Sequence, residues 1–353
     1  MSQHNANASS TFSAVSGSAR QLFLLLRCIG FASKAQVQIT KDGLKFTVEE
    51  SRVMQGFAFL EKTLFTTFSY TGPPPPSPST HSPSTNMIGP DEDDDTSPST
   101  FQIQLPALLE TLQIFGADSG SNSNFLKDRW SRDTNSYNSG ITGSLSRGGP
   151  STAFDSRVLG LPSVCRLSYT GPGSPFCIIL EEAGVVTTCE LVTYEPELHN
   201  EIPLQRDKLA QKIIMRASWL HDAITELSST SPIRLTITAS PSAPFFALSA
   251  SGPLGSATVE FSKDPQLLET FQVPKRVTNA YKFSLVKGAS RAMALASKVS
   301  VRGDEQGVLS LQFMIEVESG GVSFVDFRFA PLLPENGEDD EDEEEVEEEA
   351  GED

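Results

Sequence analysis

Apolar and polar residues alternate along this chain with two different periods, and the order of those periods recurs four times. In the first copy, ARQLFLLLRCIG places Leu22, Phe23, Leu26 and Ile29 on one face of a helix. AQVQIT and LKFTVEE then switch to strict alternation. Val37 and Ile39, followed by Leu44, Phe46 and Val48, point one way across the turn Lys41-Asp42-Gly43. QGFAFL and LFTTFSY extend the same sheet. The second copy starts with strand FQIQL and helix PALLETLQIF, with Pro106 where a helix accepts proline, and ends with SVCRLSY, PFCIIL and VVTTCELV. The third has helix ASWLHDAITEL and strands IRLTIT, FFALSAS and SATVEF. The fourth reads as strand AYKFSLV, helix GASRAMALAS, and strands KVSVR, GVLSLQFMIE and GVSFVDFRF.

Two helices and two sets of turn-linked strands per half predict an α+β fold with antiparallel sheets, built from two similar domains. Residues 12–192 form the first domain and 209–332 the second. Residues 193–208, TYEPELHNEIPLQRDK, have weak periodicity and are expected to connect them. Residues 71–100 and 116–160 are rich in Pro, Ser, Asn and Gly and poor in apolar residues, so both read as disordered insertions. Residues 333–353 read as a disordered acidic tail.

The net charge of −18 over 353 residues first suggests an aversion to nucleic acid, but its location removes that objection. Residues 335–353 carry fourteen acids and no base, and residues 91–95 are acidic throughout. Elsewhere acids and bases nearly balance, which leaves room for a local basic face. No apolar run is long enough to span a membrane, and MSQHNANASSTF lacks the basic and apolar regions of a secretory signal. Cys28, Cys165, Cys177 and Cys189 form no CxxC pair and are expected to be buried free thiols. His4, His81, His199 and His221 are scattered, so neither a metal site nor a cofactor is expected.

At this point the residues resemble a known family. The body is similar to the sliding-clamp fold of PCNA. More narrowly, it resembles the Rad-one (Rec-one) subunit family of the heterotrimeric DNA-damage checkpoint clamp, the 9-1-1 complex. The matching segments are the turn Thr40-Lys41-Asp42-Gly43 with LKFTVE, LEEAGVVTTCELVTYEPE at 180–197, and YKFSLVKGASRAMALASKVSVRGDEQGVLSLQFMI at 281–315. The resemblance implies a nuclear, non-catalytic ring subunit that has two sister subunits, a clamp loader, and duplex DNA through a central channel. It also implies recruitment of checkpoint and repair proteins. The alternatives are a homotrimeric polymerase processivity clamp and a 3′–5′ DNA exonuclease. No P-loop and no GxSxG occurs, and Glu181 and Glu182 are adjacent, so strand geometry sends them to opposite faces.

A sliding clamp needs positive charge towards the phosphates, without base-reading contacts. Arg20 and Arg27 share a face of the first helix, with Lys34 in the following loop, and Lys287, Arg291 and Lys298 share a face of the fourth. These six are the expected DNA-facing residues. Glu110, His221, Asp222 and Glu226 on the other helices make the lining uneven. By resemblance, ring closure uses sheet edges: Val186, Thr188 and Glu190 on one, and Thr258, Val259 and Glu260 on the other. Clamps also hold partner peptides beside the connector, where Leu198, Ile202 and Leu204 are the candidates. Trp219, with Leu220, Ala223, Ile224 and Leu227, is expected in the core.

Overall fold

The computed structural model describes residues 11–72, 98–114, 164–182, 184–197, 200–317 and 320–333. The two insertions lie almost wholly outside that set, as does the acidic tail. Ser99 and Thr100, assigned from sequence to the first insertion, instead open strand β6 (Ser99–Gln104).

Every strand pairing is antiparallel, and the strands form three sheets. The first half holds β1 (Phe12–Ser16), β2 (Lys34–Thr40), β3 (Gly43–Glu50), β4 (Met54–Glu61), β5 (Thr67–Tyr70), β6, β7 (Val164–Tyr169), β8 (Phe176–Glu182) and β9 (Val185–Leu191). The second holds β10 (Leu209–Arg216), β11 (Arg234–Ala239), β12 (Phe246–Gly252), β13 (Gly255–Phe261), β14 (Leu268–Gln272), β15 (Val277–Lys282), β16 (Lys298–Asp304), β17 (Leu309–Glu316) and β18 (Val322–Phe329). Order β5-β1-β7-β8-β9 makes a sheet private to the first half, and β13-β12-β11-β15 one private to the second. The third sheet, β14-β10-β16-β17-β18-β4-β3-β2-β6, has nine strands and runs through both.

The halves join where β18 pairs with β4, with Val325 opposite Ala58, Phe327 opposite Gly56 and Phe329 opposite Met54. Phe327 and Phe329 are fully buried there, each adding about 2–3 kcal/mol of transfer free energy. Gly56 allows the close approach there: a Cβ would lie 2.8 Å from the Phe31 ring, which itself packs 6.1 Å from Phe327, so a side chain at 56 requires that ring to shift.

Of the five helices, α1 (Ala19–Cys28), α2 (Leu105–Gln113), α3 (Ala217–Leu227) and α5 (Ser290–Leu295) pack on strands of the nine-stranded sheet, and α4 (Phe283–Gly288) packs on β15 of the four-stranded one. Helix α1 packs on β4 and β18 at the seam, α2 beside α1, α5 against both α1 and α3. The helices therefore form one row, α2-α1-α5-α3, across both halves. Ser18 starts α1 by accepting a bond from the Gln21 amide at 3.2 Å, and Pro106 occupies the first turn of α2.

The fourth predicted helix is two short ones. Phe283, Leu285 and Val286, read as the end of a strand, belong to α4, and the backbone breaks at Ala289 before α5. Trp219, expected in the core, is only half-buried, with the Arg216 guanidinium 5.3 Å from its ring centre. All four cysteines are free, but only Cys28 and Cys165 are buried, and burial pushes both thiols up to about 12. Cys177 and Cys189 are half-buried.

Candidate functional site

Three regions carry the expected functional residues: the helix row, the outer face of the long sheet, and two sheet edges.

On the helix row, Arg20 and Arg27 project from α1, Lys287 from the last turn of α4 and Arg291 from α5. The contact between α1 and α5 brings Arg27 and Arg291 together although they lie far apart in sequence. They line a groove of ≈ 690 Å³ with Phe23, Gly30, Leu109 and Glu110. Arg291 donates to the Gly30 carbonyl at 3.2 Å, and the Arg27 guanidinium sits 5.6 Å from the Phe23 ring centre. Burial, and then the like charge of Arg27, lower the Arg291 pKa. Among the described residues, no carboxylate lies within 4 Å of Arg20, Arg27, Lys287 or Arg291. Two neighbouring guanidiniums, with Glu110 the one acid that shares their groove, leave a positive site able to receive an anion such as phosphate. The row is not uniformly positive, since Asp222 and Glu226 are exposed on α3.

Lys34 and Lys298 do not join this group. Lys34 is the first residue of β2, not a loop residue, and points away from buried Ala35 towards Glu197, 2.6 Å away. Lys298 opens β16 rather than continuing a helix, and its ammonium is 2.7 Å from Glu269. The even spacing that put it on a helical face fails because Ala296 is already extended.

The opposite face of the long sheet carries the connector. Residues 192–208 join β9 to β10, and among the described ones the only ladder contact is Tyr194, bridged to Gln102 of β6. From residue 200 the connector is held by side chains that sequence reading missed. Gln55 donates to the Asn200 carbonyl at 2.9 Å and accepts from the Ile202 amide at 2.7 Å. Arg328 donates to the Ile202 carbonyl at 2.8 Å, and Asp304 accepts from the Gln205 amide at 3.1 Å. Glu201 is hydrogen-bonded to Lys45 and lies 3.3 Å from Arg328. Burial disfavours its carboxylate, but the hydrogen bond and charge of Lys45, then Arg328, outweigh that and hold its pKa low. Behind it, Asp326 accepts from Ser310 at 2.8 Å and lies between Arg302 (3.5 Å) and Arg328 (3.7 Å). Burial raises the Asp326 pKa, with Ser310 and the two arginines opposing it. Ile202 is buried beneath this strap, Leu204 is half-buried, and Leu198 lies outside the described residues.

Among the described strands β5, β6, β9, β13, β14 and β15 end the three sheets, and the expected edge residues lie on two of these, β9 and β13. Strand β9 pairs only with β8, and β13 only with β12. Val186, Thr188 and Glu190 lie on one exposed face of β9, with Val186 58% exposed. Thr258 and Glu260 are exposed on β13, whereas Val259 turns inward and packs on the core. Glu181 is exposed and Glu182 half-buried at the end of β8, and among the described residues no three His, Cys, Asp or Glu side chains converge.

Comparison with known proteins follows the same outline. Residues 11–315 match the family model for repair protein Rad1/Rec1/Rad17. The DNA damage checkpoint control protein rad1 of Schizosaccharomyces pombe is 34% identical over 314 residues, covering 89% of this chain and 84% of the relative. The human cell cycle checkpoint protein RAD1 is 31% identical over 312 residues, 88% of each chain. A shorter similarity, 28% over 180 residues and 42% of this chain, links it to 39% of the DNA repair exonuclease REC1 of Mycosarcoma maydis.

Proposed function

The chain belongs to the Rad1/Rec1/Rad17 repair-protein family, whose fold is that of a PCNA-like clamp, and we propose that it is a non-catalytic subunit of a heterotrimeric ring that encircles DNA at damage sites. The ring supports DNA-damage checkpoint signalling in the nucleus and recruits repair factors, and a clamp loader opens it onto DNA.

The observation that carries this reading is that each half ends its private sheet in a long, exposed strand with one side unpaired among the described residues. A seven-residue β9 in one half and a seven-residue β13 in the other expose backbone donors and acceptors that no described strand satisfies. Antiparallel addition of a neighbouring subunit at each edge continues the sheets and removes the liability of open strands. Val186, Thr188, Glu190, Thr258 and Glu260 then flank the new ladders, with Val259 supporting β13 from below. The helix row faces the channel, where Arg20, Arg27, Lys287 and Arg291 meet phosphates without reading bases. Lys34 and Lys298 serve the structure instead, and Ile202 and Leu204 border the outer surface available to partner peptides.

Light scattering on the eluting species tests the ring directly. The chain alone should elute as a monomer and, with both sister subunits, as a 1:1:1 complex that Thr188→Pro in β9 prevents. A trimer of this chain alone would make it a homotrimeric processivity clamp instead. The name of the Mycosarcoma maydis relative raises the exonuclease reading. Digestion of DNA that Glu181→Gln with Glu182→Gln abolishes would establish it.

A further inference from the structure

We propose that the acidic segment 335–353 docks on this chain's own basic helix row, where it competes with the DNA backbone. The competition rests on reading that row as the DNA surface; the docking contact does not.

Charge selects the surface. Segment 335–353 carries fourteen acids and no base, and the row presents Arg20, Arg27, Lys287 and Arg291 with no described carboxylate within 4 Å. On the outer face Lys34, Lys45, Lys298, Arg302 and Arg328 already hold acidic partners, which leaves Arg206, Lys208 and Lys212 as the rival basic surface. Within the row, Asp222 and Glu226 repel the segment from α3 and leave α1, α4 and α5.

Position then makes the contact reachable. After β18 the Ala330 amide donates to the Val53 carbonyl at 2.9 Å, and the Leu332 amide to the Ala280 carbonyl at 2.7 Å. The body therefore releases the chain beside β15, which runs straight into α4. Ala280 to Lys287 is at most about 25 Å of chain, whereas an extended stretch of the length of 335–353 reaches about 60 Å. Leu333 is 88% exposed, so the described chain leaves the body at its surface. A segment tethered this closely acts at an effective concentration on the order of millimolar, so multivalent ion pairing outcompetes weak external anions at low salt.

Zero-length carbodiimide cross-linking of the full chain, mapped by mass spectrometry, tests the contact without DNA. Carboxylates of 335–353 should couple predominantly to Lys287. The product should vanish when the aspartates and glutamates of 338–345 become asparagine and glutamine, and in salt of roughly 0.5 M, where the Debye length falls to about 4 Å. Coupling at Lys208 or Lys212 of the outer face, or spread over exposed Lys41, Lys62, Lys263 and Lys275, would overturn the proposal, as would coupling between isotopically light and heavy chains. In the assembled ring, the neutralised segment should tighten duplex binding by roughly tenfold at low salt, with the gain lost at high salt. Unchanged binding beside intact cross-links would overturn the competition. A ring that binds no DNA with either segment would defeat the DNA reading of the row and leave the docking contact standing.

Discussion

The two faces of the nine-stranded sheet use the same residue types for opposite ends. On the connector face Lys34, Lys45, Arg302 and Arg328 each sit within 4 Å of a carboxylate, and their charge is spent on holding chain to chain. On the helix face Arg27 and Arg291 crowd each other with no described acid at that range, which costs stability and leaves positive potential for a ligand. A lysine or arginine count could not separate these roles. What separates them is whether the fold delivers a carboxylate, and that is decided by strand register and by where the connector places Glu197 and Glu201.

The sharpest way to break the contrast is Arg328→Met, which strips Asp326 of one counter-charge and the Ile202 carbonyl of its donor, in a site where Arg328 and Asp326 are each 14% exposed. Breaking a buried pair in this way should cost about 3 kcal/mol or more by chemical denaturation. Next, Gln55→Leu leaves the Ile202 amide and Asn200 carbonyl without their partner and should cost about 1–3 kcal/mol, with faster proteolysis around residue 200. On the helix face the double change Arg27→Ala, Arg291→Ala should barely alter the denaturation midpoint. It should lower the DNA-binding salt slope of the assembled ring by about 1.8, two phosphate contacts at roughly 0.9 each. Lys34→Ala removes only an exposed pair, so stability should change by less than about 1 kcal/mol and the salt slope not at all. If Lys34→Ala lowered the slope as Arg27→Ala does, the two faces would not be distinct.

Acid titration sharpens the same contrast. Glu201 has its folded pKa held low, so its contribution is present above the usual carboxylate range and fades as pH falls through the lower folded value. Asp326, with its folded pKa raised, works in the other direction: ionising it as pH rises disfavours the fold. Denaturation midpoints of Glu201→Gln and the parent chain should therefore converge at low pH.

Much of the fold was legible because alternation records burial directly. Val37, Ile39, Leu44, Phe46 and Val48 are all buried, and α3 begins and ends where ASWLHDAITEL does. Strand β1 was missed because FSAVS is short, and its partner β7 lies some 150 residues away in sequence. The strand reading of FSLV followed its bulky apolar residues, and tertiary packing against β15 overrode that local preference. For the candidate site, helical spacing placed Arg20 and Arg27 together, but the meeting of Arg27 with Arg291 depends on α1 packing against α5. No signal in the sequence announces the partners of Lys34, Lys298 or Gln55, because each is fixed by contacts distant in sequence.

The pairing of β18 with β4 also sets a timetable for synthesis. The interior edge of β4 emerges from the ribosome early, yet the strand that covers it is among the last folded elements made. At roughly 5–20 residues per second, that edge waits on the order of tens of seconds with Phe57, Ala58 and Leu60 unprotected, a window in which chaperones must shield it. Frameshifts and premature stops anywhere upstream of Val322 leave the same edge permanently open. Such products should be cleared by quality control rather than persist as partial clamps.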